Sequence, residues 1–299
     1  MRIKEDVRPL WEAQRLQHLQ EVKSMEYKTI LVHLNDKRRA EKLLESACFL
    51  AQRFGSHLIG LHVYPGVSGP PVPIPGSGQV IGMALGAQRK ESEDIAAAFA
   101  RMTSNQPFTN EWHAVEALGF DLGEIVMRHA RCADLIVAAQ ADPDWDFSPI
   151  LDFPERLAVE SGRPVLVIPY AGRYPEIGHN AVVAWKATRE AARAAFDALP
   201  LLKSAQNEQI LEVNEASIDG VLPDTAIAAA LGRHGIKPTH QICATDIATG
   251  DEILSRLADA SADLLVMGAY GHSRIREFVL GGVTRHISRH MTAPTLWSH

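Results

Sequence analysis

The feature that most constrains this chain is that it repeats itself. Glu124-Ile125-Val126, Ala133-Asp134-Leu135-Ile136-Val137 and Arg163-Pro164-Val165-Leu166-Val167 return as Glu252-Ile253-Leu254, Ala262-Asp263-Leu264-Leu265-Val266 and Ala293-Pro294-Thr295-Leu296-Trp297, at offsets of 128 to 130 residues. Upstream, Thr29-Ile30-Leu31-Val32 with the charged helix start Asp36-Lys37-Arg38 is matched by Ala181-Val182-Val183-Ala184 and Thr188-Arg189-Glu190. Nearly constant spacing over several apolar runs means that one folding unit occurs twice. At 299 residues, each half is the size of one ordinary domain.

Within each copy, short runs of Val, Ile and Leu alternate with longer segments of helical period, the pattern of parallel strands joined by crossover helices. The first half reads as strands near 28–34, 57–64, 111–117, 134–139 and 165–169, with helices near 37–54, 89–104, 121–131 and 154–161. The second half reads as strands near 180–185, 208–214, 239–244, 263–268 and 294–298, with helices near 188–199, 224–234, 250–260 and 280–291. The runs are apolar on both faces, as a sheet covered on two sides requires. The expected fold is α/β, two tandem copies of an open five-stranded parallel sheet flanked by helices and packed as an internal pseudo-dimer.

The join at Tyr170–Gly178 is short and turn-rich, so the halves are expected to touch, with domains at 26–171 and 178–299. Residues 1–25 are expected to form a helical extension, with Leu10, Trp11, Leu16, Leu19 and Val22 packed on the body. The Pro- and Gly-rich stretch 65–78 reads as a long surface loop.

Composition narrows the function. Thirty basic against 36 acidic side chains give a formal charge of −6, which argues against holding nucleic acid or anionic lipid by bulk electrostatics. Neither a membrane-spanning run nor a secretory leader is evident, so a cytoplasmic location is expected. Cys48, Cys132 and Cys243 have no paired spacing and are expected to be buried thiols.

The most specific local feature is Met267-Gly268-Ala269-Tyr270-Gly271-His272-Ser273-Arg274, leaving an apolar strand, followed by Leu280-Gly281-Gly282-Val283-Thr284-Arg285, opening a helix. Glycines without Cβ let backbone N–H groups converge on an anion, and a helix N-terminus adds partial positive charge. His272, Arg274 and Arg276 give a basic margin, and Thr284 a hydroxyl donor. Taken singly, each glycine is more often a residue of a tight strand-to-helix turn. The loop is neither a Walker P-loop nor a Rossmann fingerprint.

The spacing Gly-x2-Gly-x9-Gly, between an Ala-Asp-Leu-Leu-Val strand and an Ala-Pro-Thr-Leu strand, resembles the nucleotide loop of the universal stress protein family. With two copies of a five-strand order, the resemblance to tandem members spans residues 26–299. It implies an adenine nucleotide alpha-hydrolase-like fold and antiparallel pairing of the last strands, near Val165–Ile168 and Thr295–Trp297. It also implies ATP or a related adenine nucleotide (ADP, AMP), with or without magnesium. The phosphates would lie over Gly271, Gly281 and Gly282, among Gly268, Tyr270, His272, Arg274, Val283 and Thr284. The base would lie near the strand ends, at Ala184, Trp185, Lys186 and Val213. Where family members often carry an aspartate for the adenosine end, this chain has Lys186, which can only donate. Gly282 stands in place of the usual hydroxyl residue.

The first half breaks the same loop. Ala139 and Asp142 replace its first two glycines, and Asp152 and Phe153 the later pair. Asp142, Asp144, Asp146, Asp152 and Glu155 are expected to form a solvated acidic loop. Each charge about 6 Å from a phosphate would cost on the order of 1–3 kcal/mol at an effective dielectric of 20 to 60. One nucleotide site per chain follows, in the second half. The acids lack the Gly and distal Glu of a calcium loop. His33, His57, His62, His113 and His129 are scattered without metal-ligand spacing, and His286 and His290 read as an exposed basic helix face. No nucleophile elbow or Cys-His arrangement is present. A nonenzymatic nucleotide-binding stress-response module is therefore expected, with the nucleotide as small-molecule partner and a homodimer as one option for assembly. The alternatives are a nucleotide-free scaffold holding another small ligand, and a slow ATP hydrolase or phosphotransferase.

Overall fold

A computed structural model describes residues 26–66, 77–118, 121–214, 226–269 and 282–299. The expected helix at 1–25 and the centre of the Pro/Gly stretch lie outside the described residues. The first repeat runs β1 (Thr29–His33), α1 (Lys37–Phe54), β2 (His57–Pro65), α2 (Ser77–Thr103), β3 (Asn110–Ala117), α3 (Leu122–Ala130), β4 (Leu135–Ala139), α4 (Ser148–Leu151), α5 (Pro154–Glu160) and β5 (Val165–Ile168). The second runs β6 (Asn180–Ala184), α6 (Arg189–Asp197), α7 (Leu199–Leu202), β7 (Asn207–Val213), α8 (Ala226–Arg233), β8 (Thr239–Cys243), α9 (Thr249–Asp259), β9 (Leu264–Gly268), α10 (Gly282–His290) and β10 (Thr295–Ser298).

Local chemistry sets these boundaries. Asp36 opens α1 by accepting from the Arg38 and Arg39 amides, and Gly55 closes it in the left-handed conformation at φ 63°. Thr188 opens α6 in the same way, accepting from the Ala191 amide. The expected strands all form within a residue or two. Three expectations need correction. The second helix starts at Ser77, not near 89, and β2 runs through Pro65, so the loop expected over 65–78 is shorter at both ends. The one-turn helix α4 was not foreseen. The helix expected over 188–199 is two pieces, with Pro200 inside α7.

All strands join one ten-stranded sheet in the order β3-β2-β1-β4-β5-β10-β9-β6-β7-β8. Every neighbouring pair is parallel except the central one, where Thr295, Leu296 and Trp297 of β10 face Val167, Leu166 and Val165 of β5 in antiparallel register. The implied pairing of the last strands is therefore present. It closes two sheet edges that would otherwise offer unpaired N–H and C=O groups.

Side chains alternate between two cores. Ile30, Val32, Leu166, Val183, Val266 and Leu296 point to one face, under α1, α2, α6, α7 and α8. Leu31, Ile136, Val165, Val182, Leu265 and Trp297 point to the other, under α3, α5, α9 and α10. Each core runs through both repeats. The join is tied down by bonds across it: the Tyr174 hydroxyl donates to the Thr292 carbonyl (2.9 Å), and the Tyr27 hydroxyl to the Asp197 carbonyl (2.7 Å). Among the described residues, no helix is long and apolar enough to cross a membrane.

Candidate functional site

In an open α/β sheet, the crevice forms beyond the carboxyl ends of the strands where the strand order reverses. In the second repeat that point lies between β6 and β9, and a cavity of about 300 Å³ opens there. Its walls are the ends of β6, β7 and β9 and the first turns of α6, α9 and α10. Ala184, Trp185, Lys186, Val213, Gly268, Gly282, Val283 and Thr284, all singled out from sequence, line it together. Tyr270, Gly271, His272, Arg274 and Gly281 lie outside the described residues.

Leu211, Ile253 and Met267 complete an apolar strip with Ala184 and Val213, and Trp185 also lines the cavity. This end suits a flat apolar ring. At the other side, Gly282, Val283 and Thr284 form the first turn of α10, whose amides and positive end favour an anion. The two glycines differ in their reasons. A Cβ on Gly268 would come within 2.5 Å of the Ala191 nitrogen, so glycine is needed there for α6 to approach β9. A Cβ on Gly282 would meet nothing within 4 Å, so the protein's own packing does not call for glycine there.

Sequence reasoning missed Thr188, Glu190, Asn214 and Thr249, which also line the cavity. Asn214 takes a left-handed φ of 53° and ties β7 to the chain after β8, accepting from the Thr245 amide at 2.8 Å and donating to its carbonyl at 2.9 Å. Glu190 sits in the first turn of α6, only 7% exposed, and accepts from Arg189 Nε at 3.0 Å. The available signal for Thr188 and Glu190 was position: the first turn after a strand that ends at the switch point always borders the crevice.

In the first repeat the equivalent point, between β1 and β4, is filled by side chains. Asp152 is not solvated, which corrects the reading of the acidic loop. Its carboxylate accepts from Arg39 Nη2 (2.9 Å) and Nη1 (3.1 Å), from the Ser148 hydroxyl (2.7 Å) and from Asn35. Arg39 also donates to Asp36 and to the Gln140 carbonyl (3.0 Å), and its guanidinium lies 4.8 Å from the Trp145 ring centre. The carboxylates raise the Arg39 pKa against the pull of burial. Burial, reinforced by the His62 and Arg39 charges, lowers the His33 pKa to about 3. Asp144 and Asp146 are exposed as expected, whereas Glu155 accepts from the Ser288 hydroxyl across the repeats.

Other candidates resolve plainly. His286 is half-buried against Asp251 (2.8 Å), not part of an exposed face, while His290 is exposed. The His113 and His129 Nδ1 atoms approach to 3.4 Å, yet among the described residues no group of three or more His, Cys, Asp or Glu could hold a metal ion. Cys48 and Cys243 are buried as expected, but Cys132 is exposed.

Residues 180–298 match the model of the universal stress protein family. Two solved structures share the fold over nearly the whole chain. A universal stress protein from Archaeoglobus fulgidus DSM 4304 is 16% identical at a TM-score of 0.64, covering 90% of this chain and 95% of its own. A functionally unknown protein from Pseudomonas aeruginosa PAO1 is 12% identical at a TM-score of 0.52, covering 91% of this chain and 92% of its own. No curated protein matches the chain.

Proposed function

We propose, from the match of residues 180–298 to the model of the universal stress protein family, that the chain is a stress-response module binding one adenine nucleotide, in the cavity of the second repeat. The observation that carries this reading is the convergence, at the switch point, of an apolar strip with the open helix start at Gly282. The base would take the strip between Ala184 and Val213. The phosphates would take the first turn of α10, where N–H groups and the helix dipole meet negative charge. Gly271, Gly281, His272 and Arg274 would add to that end. Lys186 would donate to a phosphate, a group that accepts from an ammonium. The cavity falls at the lower end of the range that small-molecule pockets occupy, roughly 300–1,000 Å³.

The first repeat is read as closed to a nucleotide, because Arg39, Asp152 and Asn35 bond to one another at its switch point. The reading is binding without turnover. Glu190, in the first turn of α6, is the single carboxylate among the described lining residues. Phosphate release from ATP with magnesium or manganese tests this point. Release at background level is expected; steady release by the intact chain, abolished in Gly282→Asp, would establish a hydrolase or phosphotransferase instead.

A further inference from the structure

In the first repeat, away from the nucleotide cavity, the fold brings together titratable side chains that the scheme above does not use. His113 on β3, the edge strand of the sheet, and His129 on α3 meet with their Nδ1 atoms 3.4 Å apart and their ring centres 5.3 Å apart. A direct hydrogen bond from an N–H draws the heavy atoms to about 3.0 Å, so this pair is held open. Two imidazole nitrogens each about 2.05 Å from a tetrahedral zinc ion stand about 3.3 Å apart, with ring centres about 5.2 Å apart. Both distances are met without moving either side chain. Neighbouring nitrogens in a square-planar copper(II) site would have to close to about 2.8 Å.

The second nitrogen of His113 is also accounted for. Its Nε2 faces Glu111 Oε1, two residues back on the same strand, at 3.4 Å. A carboxylate behind a ligating imidazole keeps the proton on the outer nitrogen and the lone pair on the inner one. Glu111 Oε1 also lies 3.7 Å from His57 Nε2, but His57 is engaged through Nδ1 with the Thr109 hydroxyl at 2.8 Å. Burial and the His113 charge lower the His129 pKa, which favours the neutral, ligating form. The His113 side chain is 35% exposed, so water has access.

We propose that His113 and His129 bind a zinc-class divalent ion through their Nδ1 atoms, with Glu111 as the positioning residue behind His113 and water in the remaining positions. Among the described residues no set of three or more His, Cys, Asp or Glu could hold a metal. The site is therefore an open, exchanging one and not a closed structural zinc centre.

The test is calorimetric titration of zinc chloride into the full chain after removal of metal by a chelator, for the wild type, His113→Gln, His129→Gln, Glu111→Ala and Glu111→Gln. Circular dichroism melting is the folding control. Cobalt(II) titrated into the wild type, followed by visible absorption, reads the coordination geometry without any variant. The wild type is expected to bind zinc, and to give the intense absorption of tetrahedral cobalt. Glu111→Ala should weaken zinc about 10-fold, as loss of an outer-shell partner does, and each histidine variant should weaken it more. Glu111→Gln keeps an acceptor for His113 Nε2 and should recover most of the loss. Zinc affinity unchanged in either histidine variant, the weak absorption of octahedral cobalt, or no zinc binding by the wild type would overturn the site. Unchanged affinity in Glu111→Ala, or no recovery in Glu111→Gln, would overturn the positioning role of Glu111.

Discussion

The Asp152 carboxylate receives hydrogen bonds from Arg39, Ser148 and Asn35, and each of these partners is buried with it. Such a network is worth little against an apolar core of the same shape, but removing one charge strands the other. Asp152→Ala is therefore expected to cost about 3 kcal/mol in urea unfolding, the low end for a broken buried pair, because Asp36 still holds Arg39. A loss below about 1 kcal/mol would contradict the buried network. His33 makes a second prediction. Its folded pKa of about 3 lies below the ordinary 6.5, so the folded state binds fewer protons between these values. The stability it contributes is complete above about pH 6.5 and falls by roughly 1.4 kcal/mol per pH unit as pH drops toward 3. Unfolding free energies at pH 7, 6 and 5 should decline less steeply in His33→Gln than in the wild type; parallel slopes would show that His33 is not the titrating group. Residues such as Asp152 mark the limit of sequence reading. Its charge was visible, but its partner is 113 positions away on α1, and only the fold brings Arg39 to it.

At the scale of elements, α6, β9 and α10 wall the cavity, and the glycines of β9 and α10 separate stability from binding. Gly282→Ala has room for its methyl and gains helix propensity, so the melting temperature should hold or rise while ATP affinity falls. Gly268→Ala must push α6 off β9, so it should lower both. Melting and titration of the two variants check this pair, and unchanged ATP affinity in Gly282→Ala would argue against phosphates at that helix start. Strands were the most legible elements, because runs such as Leu135–Ala139 are apolar on both faces and too short for helices. The early start of α2 was hidden by glycines at 78, 82 and 86, which lower helix propensity by up to about 1 kcal/mol each, whereas Ile95 and Phe99 anchor the helix later in its length. The donor half of the cavity was readable from Gly268 and Gly282, both set at strand or helix ends. Glu190 was not, since a single acid in a first turn has the ordinary role of complementing the helix dipole.

At the scale of the whole molecule, the repeats share one sheet and two continuous cores yet differ at their crevices. The β5–β10 seam seals what would be two open edges, and Gln140 Nε2 of the first repeat donates to the Ser288 carbonyl on α10 (2.8 Å), joining the filled crevice to the helix that starts at the open one. On the proposed reading, the filled crevice of the first repeat leaves the molecule with a single nucleotide site, in the second. Calorimetric titration of ATP into the full chain tests that claim most directly. One molecule bound per chain is the predicted result; two per chain, or none, would contradict it.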